Sequence, residues 1–477
     1  MKTKTDLPLY LKVAQSLEDQ IQKGTFGIGD RVPSVRDLSQ HHRVSVSTVL
    51  QAYFWLENRG RIEARPKSGF YVRPPLQDLH PEPVYRPVQS QPTPVTTGEL
   101  VLEVVRAGGR PIKVQLSHAS PSEKHMPTFK LNSIIRRISR EMPEHSVAYQ
   151  LPPGSLSLRQ QIAKRSVGFG CNFLPQDVII TCGAMEALNL CLRAIAKPGD
   201  IIATESPTFF NILQAIESLG MKAVEIPTHP RTGMDLEILE QAIKKHRIRG
   251  CIAITNCHNP LGYVLSDEKK KALVELLSRH DIPLIEDDVY GDIAFSEHRP
   301  RVAKAFDRKG LVIVCGSFSK TVSPGLRVGW VHSERYRTKI EELKLITSIA
   351  SSSLSQLVMA SLLESGGYDR QVRHIRMVFQ KQVAAVGQAV SKYFPEGTKM
   401  TRPEGGYVLW IELPKRADAI RLYRTALEEG ISISPGPIFS ASGKFRNCIR
   451  LNCGLPWTDE LDRAILKLGR LCEAQLA

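Results

Sequence analysis

The chain has 477 residues, 42% of them hydrophobic and 23% charged. That length calls for several domains of roughly 100–200 residues each, and the composition is that of a globular rather than a disordered chain. Sixty-four Lys and Arg against 48 Asp and Glu give a net charge of +16, which points to a polyanionic partner. Apolar runs fall short of the roughly 20 residues that a membrane span needs. The charged start, Met1 to Asp6, lacks the apolar stretch of a signal peptide. Nine Cys, an odd number with no Cys-x-x-Cys pair, predict free thiols in a reducing cytoplasm and no metal site.

The first 73 residues hold 12 Lys and Arg against 7 Asp and Glu, a net +5. Leu9, Val13, Leu17 and Ile21 recur four apart, with Tyr10 and Ala14 beside them, and predict an amphipathic helix over 9–21. Ser34-Val-Arg-Asp37 has the hydroxyl cap and the carboxylate three residues on that begin a helix, here about 34–41. Ser45 caps a third helix, about 46–58, with Val46, Val49, Tyr53 and Leu56 facing inward. Arg61 to Val72 alternates like two short strands around Arg65-Pro-Lys-Ser-Gly69. Three helices and a basic hairpin in this order predict an α+β winged helix-turn-helix, whose third helix can enter a major groove. Its N-terminus offers backbone N–H groups with Ser45, Ser47 and Thr48 for phosphate contacts. Arg31, Arg36, Arg65 and Lys67 would supply the salt-dependent attraction. The bland alternative is a small helical protein-interaction module.

The stretches Gly29-Asp-Arg-Val-Pro-Ser-Val-Arg-Asp-Leu38, Val44-Ser-Val-Ser-Thr-Val49 and Leu56-Glu-Asn-Arg-Gly60 closely resemble the DNA-binding domain of the GntR family of bacterial regulators. The resemblance implies that Arg36, Ser45, Ser47, Thr48 and the wing tip near Lys67–Gly69 face DNA; Arg31, Ser34 and Arg65 are further candidate contacts. One departure stands out: many members carry Arg within the recognition helix, where this chain has Val46 and Leu50.

Seven prolines in residues 74–94 predict an extended, semi-rigid linker, placed at 74–111. It would either reach toward another subunit or lie on its own domain.

From about 112 to 477, short apolar runs alternate with helical stretches. Strands are expected at 178–181, 200–203, 223–226, 251–255, 283–286 and 311–314. Helices are expected at 184–196, 208–219, 235–246 and 267–280. This is the pattern of an α/β domain with a mostly parallel sheet, which binds ligands at the carboxyl ends of its strands. Five strand ends carry chemistry. They present Gly183-Ala184-Met185 opening a helix, the ring of Phe209, Asn259-Pro-Leu-Gly262, Asp287-Asp288-Val-Tyr290, and Ser317-Phe-Ser319-Lys320 with Arg327 beyond. A lysine serves a carbonyl cofactor, a carboxylate a pyridinium nitrogen, an amide and a phenol a ring oxygen, and Ser, Arg and a helix N-terminus a phosphate. Together they describe pyridoxal 5′-phosphate (PLP). Any one of them alone is an ordinary turn. Two other nucleotide-type sites fail on residues: Gly443-Lys444 is followed by Phe445, and no Gly-x-Gly-x-x-Gly follows the first strand.

Tyr149-Gln-Leu-Pro-Pro-Gly154, the motifs just quoted, Gly325-Leu-Arg-Val-Gly329 and Ile449-Arg450-Leu-Asn-Cys453 resemble fold-type I aminotransferases over 112–477. The resemblance implies that Lys320 holds the cofactor as an aldimine and that Asp287 pairs with the ring nitrogen, Asp288 being a structural neighbour. Tyr290 and Asn259 would bond the ring oxygen, and Phe209 would stack on the ring. Ser317, Ser319, Arg327, Ala184 and Met185 would hold phosphate, with Tyr149 reaching the phosphate of a second subunit. Arg450 would clamp an α-carboxylate, its alternative being a packed strand-end charge. A smaller α+β subdomain is implied at 398–477 with part of 112–150.

A GntR-like head on an aminotransferase-like body resembles the MocR subfamily. The resemblance implies a cytoplasmic transcriptional regulator, a head-to-tail homodimer, whose body senses PLP or an amino compound. The competing reading is a catalytic aminotransferase with an accessory head.

Overall fold

A computed structural model describes residues 8–27, 29–58, 61–65, 68–72, 79–85, 87, 91–108 and 112–477. The chain divides into two compact units, 1–79 and 80–477.

In the first unit, helices Leu9–Gln22, Val35–His42 and Val46–Asn58 precede the antiparallel hairpin Ile62–Arg65 and Gly69–Val72. Val13, Ala14, Leu17, Leu38, Val49, Tyr53, Leu56 and Ile62 form one buried cluster. The second helix begins as its sequence dictates. Ser34 accepts from the Asp37 N–H at 3.2 Å, and Asp37 accepts from the Ser34 N–H at 3.3 Å. Arg43, left-handed at φ 53°, ends it. Two inward assignments are corrected. Leu9 is 61% exposed because it opens the first helix, before any turn packs over it. Val46 is 47% exposed because the inward stripe of its helix begins at Val49 and runs through Ala52, Tyr53 and Leu56.

The second unit is built on an eight-stranded sheet. Its spatial order is Val178–Thr181, Gly329–His332, Val312–Ser317, Leu284–Asp287, Ile248–Ala253, Ile201–Ser206, Lys222–His229, Gly233–Met234. The four links from Val312–Ser317 to Lys222–His229 are parallel. Gly329–His332 runs antiparallel to both its neighbours, and Gly233–Met234 antiparallel to Lys222–His229. Hydrophobic side chains cover both faces of the sheet in two large clusters. This two-sided burial explains why the strands read as continuous apolar runs rather than alternating ones. Helices Ala184–Ile195, Phe210–Ser218, Leu236–Lys245 and Asp267–Arg279 return the chain between strands. Asp235 and Ser266 cap the last two. The expected strands and helices match these within a few residues, the usual play at element ends.

A second, four-stranded sheet orders Lys399–Met400, Val408–Glu412, Cys448–Asn452 and Ser434–Pro435. Beside it, Val114–Gln115 pairs with Ile431–Ser432. Only the start of the implied 112–150 contribution joins this lobe. Helix Thr128–Glu141 instead buries Leu131, Ile134 and Ile138 in the core of the large sheet.

Of the two expectations for the linker, the described residues from 80 on follow the second and lie on the body. Within 74–111, the His80 N–H donates to Ser391 Oγ at 3.1 Å, and Pro81 O accepts from the Met400 N–H at 2.9 Å. Tyr85 donates to Asp235 at 2.6 Å, and Thr93 bridges to Ala223. Gly98–Gly108 is a helix with Val101, Val104 and Ala107 buried. The described residues of 80–97 form no helix, and non-helical chain with free N–H and C=O groups can dock as readily as it can span. Residues 73–78 lie outside the described residues.

Replacing the fully buried Leu56 by Ala should cost the first unit about 2–5 kcal/mol. Hydrogen exchange of the Val46–Asn58 amides should quicken accordingly, with the exchange of Leu284–Asp287 unchanged.

Candidate functional site

The loops that follow five strands converge at one edge of the large sheet, as the parallel topology requires. Lys320 lies three residues past the end of Val312–Ser317. Its Nζ donates to Ala119 O at 2.7 Å and stands 5.9 Å from the centre of the Tyr290 ring. Burial and the nearby Arg450 guanidinium push the amine down to about 8, with Asp287 opposing. A lysine tuned this way holds far more neutral amine, the nucleophilic form, near neutral pH than a surface lysine does.

Asp287 ends the neighbouring strand, and its Oδ1 accepts from the Val289 N–H at 3.3 Å. Burial, with the adjacent Asp288 adding to it, raises its carboxyl to about 7. Asp288 has a different environment. It pairs with Arg299 and accepts from Asn256 Nδ2 at 2.8 Å. Asn256 in turn accepts from the buried Lys270 at 2.8 Å. Asp288 is thus spent inside the fold, and Asp287 is left for a ligand.

Asn259 and Tyr290 are buried. Asn259 Oδ1 accepts from Arg450 Nη1 at 3.1 Å. Its Nδ2 makes no hydrogen bond of good geometry, yet lies near enough to Tyr290 to favour the phenolate. Burial dominates at Tyr290 and pushes its phenol up to about 12. Arg450 is 0% exposed. Its Nη2 donates to Ser117 O and to Ser434 Oγ, the latter at 3.2 Å, while Nε has no partner. Among the described residues no carboxylate pairs with it, and burial lowers it to about 10.

Ser317 Oγ lies 2.9 Å from Ser319 Oγ. Arg327 takes φ 53°, a backbone conformation that costs a non-glycine residue about 1–2 kcal/mol. Its Nη2 donates to Cys182 O at 3.1 Å, over the start of helix Ala184–Ile195. Gly183 precedes that helix at φ 78°, where a Cβ would stand 2.6 Å from the Arg327 guanidinium. A Cβ on Gly329 would stand 2.5 Å from the Gly183 backbone. Two glycines therefore let the Arg327 guanidinium close on the start of helix Ala184–Ile195, with Ser317 on the strand paired to Gly329. Phe209 precedes helix Phe210–Ser218, half-buried, with its ring 4.9 Å from that of Phe210. Tyr149 is 78% exposed.

The residues present fit pyridoxal 5′-phosphate on structural grounds. An unmatched amide donor beside a phenol suits a phenolate oxygen, and a buried carboxyl near 7 suits a ring nitrogen. The glycine-framed cradle suits a phosphate, and an unpaired buried guanidinium suits a carboxylate. Sequence reasoning missed Tyr407, whose hydroxyl donates to Ala119 O at 3.2 Å and bonds Tyr290. It also missed Ser117 and Ser434, which hold Arg450. They lie beside or within two-residue strands too short to leave a periodic signal.

In the first unit, Ser45 Oγ lies 2.7 Å from Ser47 Oγ and 2.8 Å from Thr48 Oγ1, a cluster of hydroxyls at the start of helix Val46–Asn58. Ser45, Ser47, Arg36 and Arg31 are exposed. The Arg31 guanidinium lies against Gly69 of the hairpin. Ser34 is committed to its capping box. Lys67 and the Arg65 side chain lie outside the described residues.

Residues 116–468 match the model of the aminotransferase class I and II family. The chain belongs to that family. Residues 9–72 match the gntR family of bacterial regulatory proteins, so the chain has the composite MocR-type build. It is 38% identical to the uncharacterized HTH-type transcriptional regulator YjiR of Escherichia coli (strain K12), over 96% of this chain and 98% of that one. It is 37% identical to YdcR of the same organism, over 98% and 99%. Among solved structures it resembles the Pyrococcus horikoshii kynurenine aminotransferase in complex with PMP. The TM-score there is 0.74 and the identity 28%, over 80% of this chain and 95% of that one. It also resembles LysN, the α-aminoadipate aminotransferase of Thermus thermophilus, at TM-score 0.73 and 28% identity over 78% and 95%. Among the described residues no helix is long and apolar enough to cross a membrane, and no side-chain cluster is fit to hold a metal.

Because its amine sits at about 8 rather than at the ordinary 10.5, Lys320 loses its proton as pH rises through about 8. The rate at which cofactor-free protein captures PLP should climb through that range and level off above it. Stopped-flow absorbance across a pH series checks this. A climb centred near 10.5 would contradict the burial argument.

Proposed function

We propose that the protein is a DNA-binding transcriptional regulator whose aminotransferase-like body binds pyridoxal 5′-phosphate and reads an amino compound there. The carrying observation is that one chain joins a gntR-type head to a body in which Lys320, Asp287, Asn259, Tyr290, Arg327 and Arg450 converge. Bound PLP supplies an aldehyde for an amine and a ring that withdraws electrons. The chain's part is to bind and orient. Lys320 offers a neutral amine, Asp287 holds a proton against the ring nitrogen, and Asn259 Nδ2 and Tyr290 donate to the ring oxygen. Ser317, Ser319, Arg327 and the N–H groups of Ala184 and Met185 take the phosphate, and Phe209 lies on the ring. Arg450 takes the carboxylate of an amino acid effector in two parallel hydrogen bonds.

DNA binding falls to Arg31, Arg36, Ser45, Ser47, Thr48 and the wing at Arg65, Lys67 and Gly69. Exposed Val46, on the same helix, is suited to the methyl group of thymine rather than to a base donor or acceptor. A homodimer is supported by Tyr149, Val147, Leu151 and Ile346, which are 78%, 85%, 56% and 73% exposed. Paired subunits would bury them and would carry Tyr149 toward the partner's phosphate. Free thiols at all nine cysteines fit a reducing cytoplasm.

An aminotransferase reading is favoured by the same intact site, and the two readings separate in one experiment. DNA upstream of the protein's own gene is titrated at stated salt, with and without PLP and a panel of amino acids, beside Lys320→Ala. A sensor shows ligand-dependent binding that the variant loses. Sustained amino transfer to a 2-oxo acid, with DNA binding indifferent to every ligand, would establish the enzyme instead. Arg36→Ala should weaken binding evenly across sequences and lower the slope against log salt by about 1.

A further inference from the structure

Helix Val46–Asn58 buries Val49, Ala52, Tyr53 and Leu56 along one side. The opposite side carries Val46, Ser47, Gln51 and Phe54, all exposed, with Leu50 half-buried beside them. Val46, Leu50 and Phe54 stand four apart and make one apolar stripe, in which Phe54 is 52% exposed. Ser47 and Gln51, also four apart, run alongside it. The Gln51 amide makes no hydrogen bond with another described residue.

The helix has no Lys or Arg along its length. Its one charged side chain, Glu57, is turned to the hairpin and accepts from the Ala64 N–H at 3.3 Å. The exposed arginines of the head come from other elements: Arg31 against the hairpin, Arg36 on the second helix and Arg43 in the turn before the third. That division separates two tasks. Arginines outside the helix suit phosphates, which position the protein without reading sequence, and the helix in the groove meets base edges. Guanine is most often read by paired bonds from Arg or Lys, and cytosine by Asp or Glu. This face offers neither. A glutamine amide matches the N7 acceptor and the N6 donor of adenine, and apolar side chains match the thymine methyl. One helix face therefore holds complements to both members of an A·T pair and lacks those that favour G·C.

We propose that helix Val46–Asn58 selects A·T pairs in the major groove, with Gln51 reading an adenine and Val46, Leu50 and Phe54 packing on thymine methyls. The inference rests on the DNA-binding reading of the head and names the bases that the helix selects.

Full-length, PLP-loaded protein is used to enrich bound duplexes from a pool of randomised sequence, and the most enriched duplex becomes the probe. We expect its protein-contacted major-groove positions to be A·T pairs. Replacing one adenine by 7-deazaadenine removes only the N7 acceptor and should weaken binding about tenfold at the position that Gln51 reads. Gln51→Ala should no longer register that replacement, and Gln51→Arg should move the preference there from adenine to guanine. Uracil in place of thymine removes only the methyl group and should weaken binding severalfold, an effect that Val46→Ser and Phe54→Ser diminish. All three side chains are exposed, so the variants should stay folded, and unchanged salt-dependent binding to unrelated DNA checks this.

Enriched sites built on G·C pairs, undiminished sensitivity to 7-deazaadenine in Gln51→Ala, or an unmoved preference in Gln51→Arg overturns the proposal and leaves the DNA-binding reading standing. If Phe54→Ser changes the sedimentation mass but not the sensitivity to uracil, the stripe is a contact between protein chains and the proposal falls. Absence of any enriched duplex, with no salt-dependent binding, removes the DNA-binding reading and the proposal together.

Discussion

The body depends on a fully buried guanidinium that pairs with no carboxylate among the described residues. Arg450 is fully buried, and its partners are neutral oxygens: the Asn259 amide, the Ser117 carbonyl and the Ser434 hydroxyl. Removing a charge from water is costly unless it is paired. Three dipoles offset part of that cost and leave a standing demand for an anion. They come from separate places, a loop after the large sheet, the chain after Val114–Gln115 and the short strand Ser434–Pro435. The site therefore exists only where the two lobes are joined. The same charge acts at a distance: with burial, it keeps Lys320 from holding its proton as tightly as a surface lysine does.

Asp287 and Asp288 show how one fold gives neighbours opposite duties. Successive side chains of an extended chain point to opposite faces. Asp288 enters a network with Arg299, Asn256 and Lys270 within the core. Asp287 meets no cation at hydrogen-bond distance among the described residues, and burial raises it to about 7. A carboxyl at that value can hold or release a proton against a ring nitrogen with little driving force needed either way. The inward network fixes the backbone from which Asp287 projects, so precision at the ligand rests on charges the ligand never meets.

A fold shared with kynurenine and α-aminoadipate aminotransferases does not by itself make this chain an enzyme, because function belongs to sites rather than folds. Covalent capture of an amine and recognition of a carboxylate serve sensing as well as turnover. What separates this chain from those enzymes is the head, and the segment that joins it to the body. That segment has a share in the body's own packing: its prolines bar it from a helix, and its hydrogen bonds and ion pairs hold it against both lobes.

By itself the sequence determined the order of elements, the winged head and the identities of the residues at five strand ends. These were legible because each rests on local chemistry: the Ser34–Asp37 capping box, unbroken apolar runs for strands buried on both faces, and motifs that follow a strand within a few residues. Tertiary structure alone decided that Arg450 meets no carboxylate among the described residues, that Tyr407, Ser117 and Ser434 stand with it, that Val46 is exposed, and that residues 80–85 and 91–97 dock on the body. None of these leaves a periodic or compositional mark. Each depends on contacts between residues far apart in the chain, such as Ser117 with Arg450 and Tyr85 with Asp235, whose meeting is set by how the lobes close.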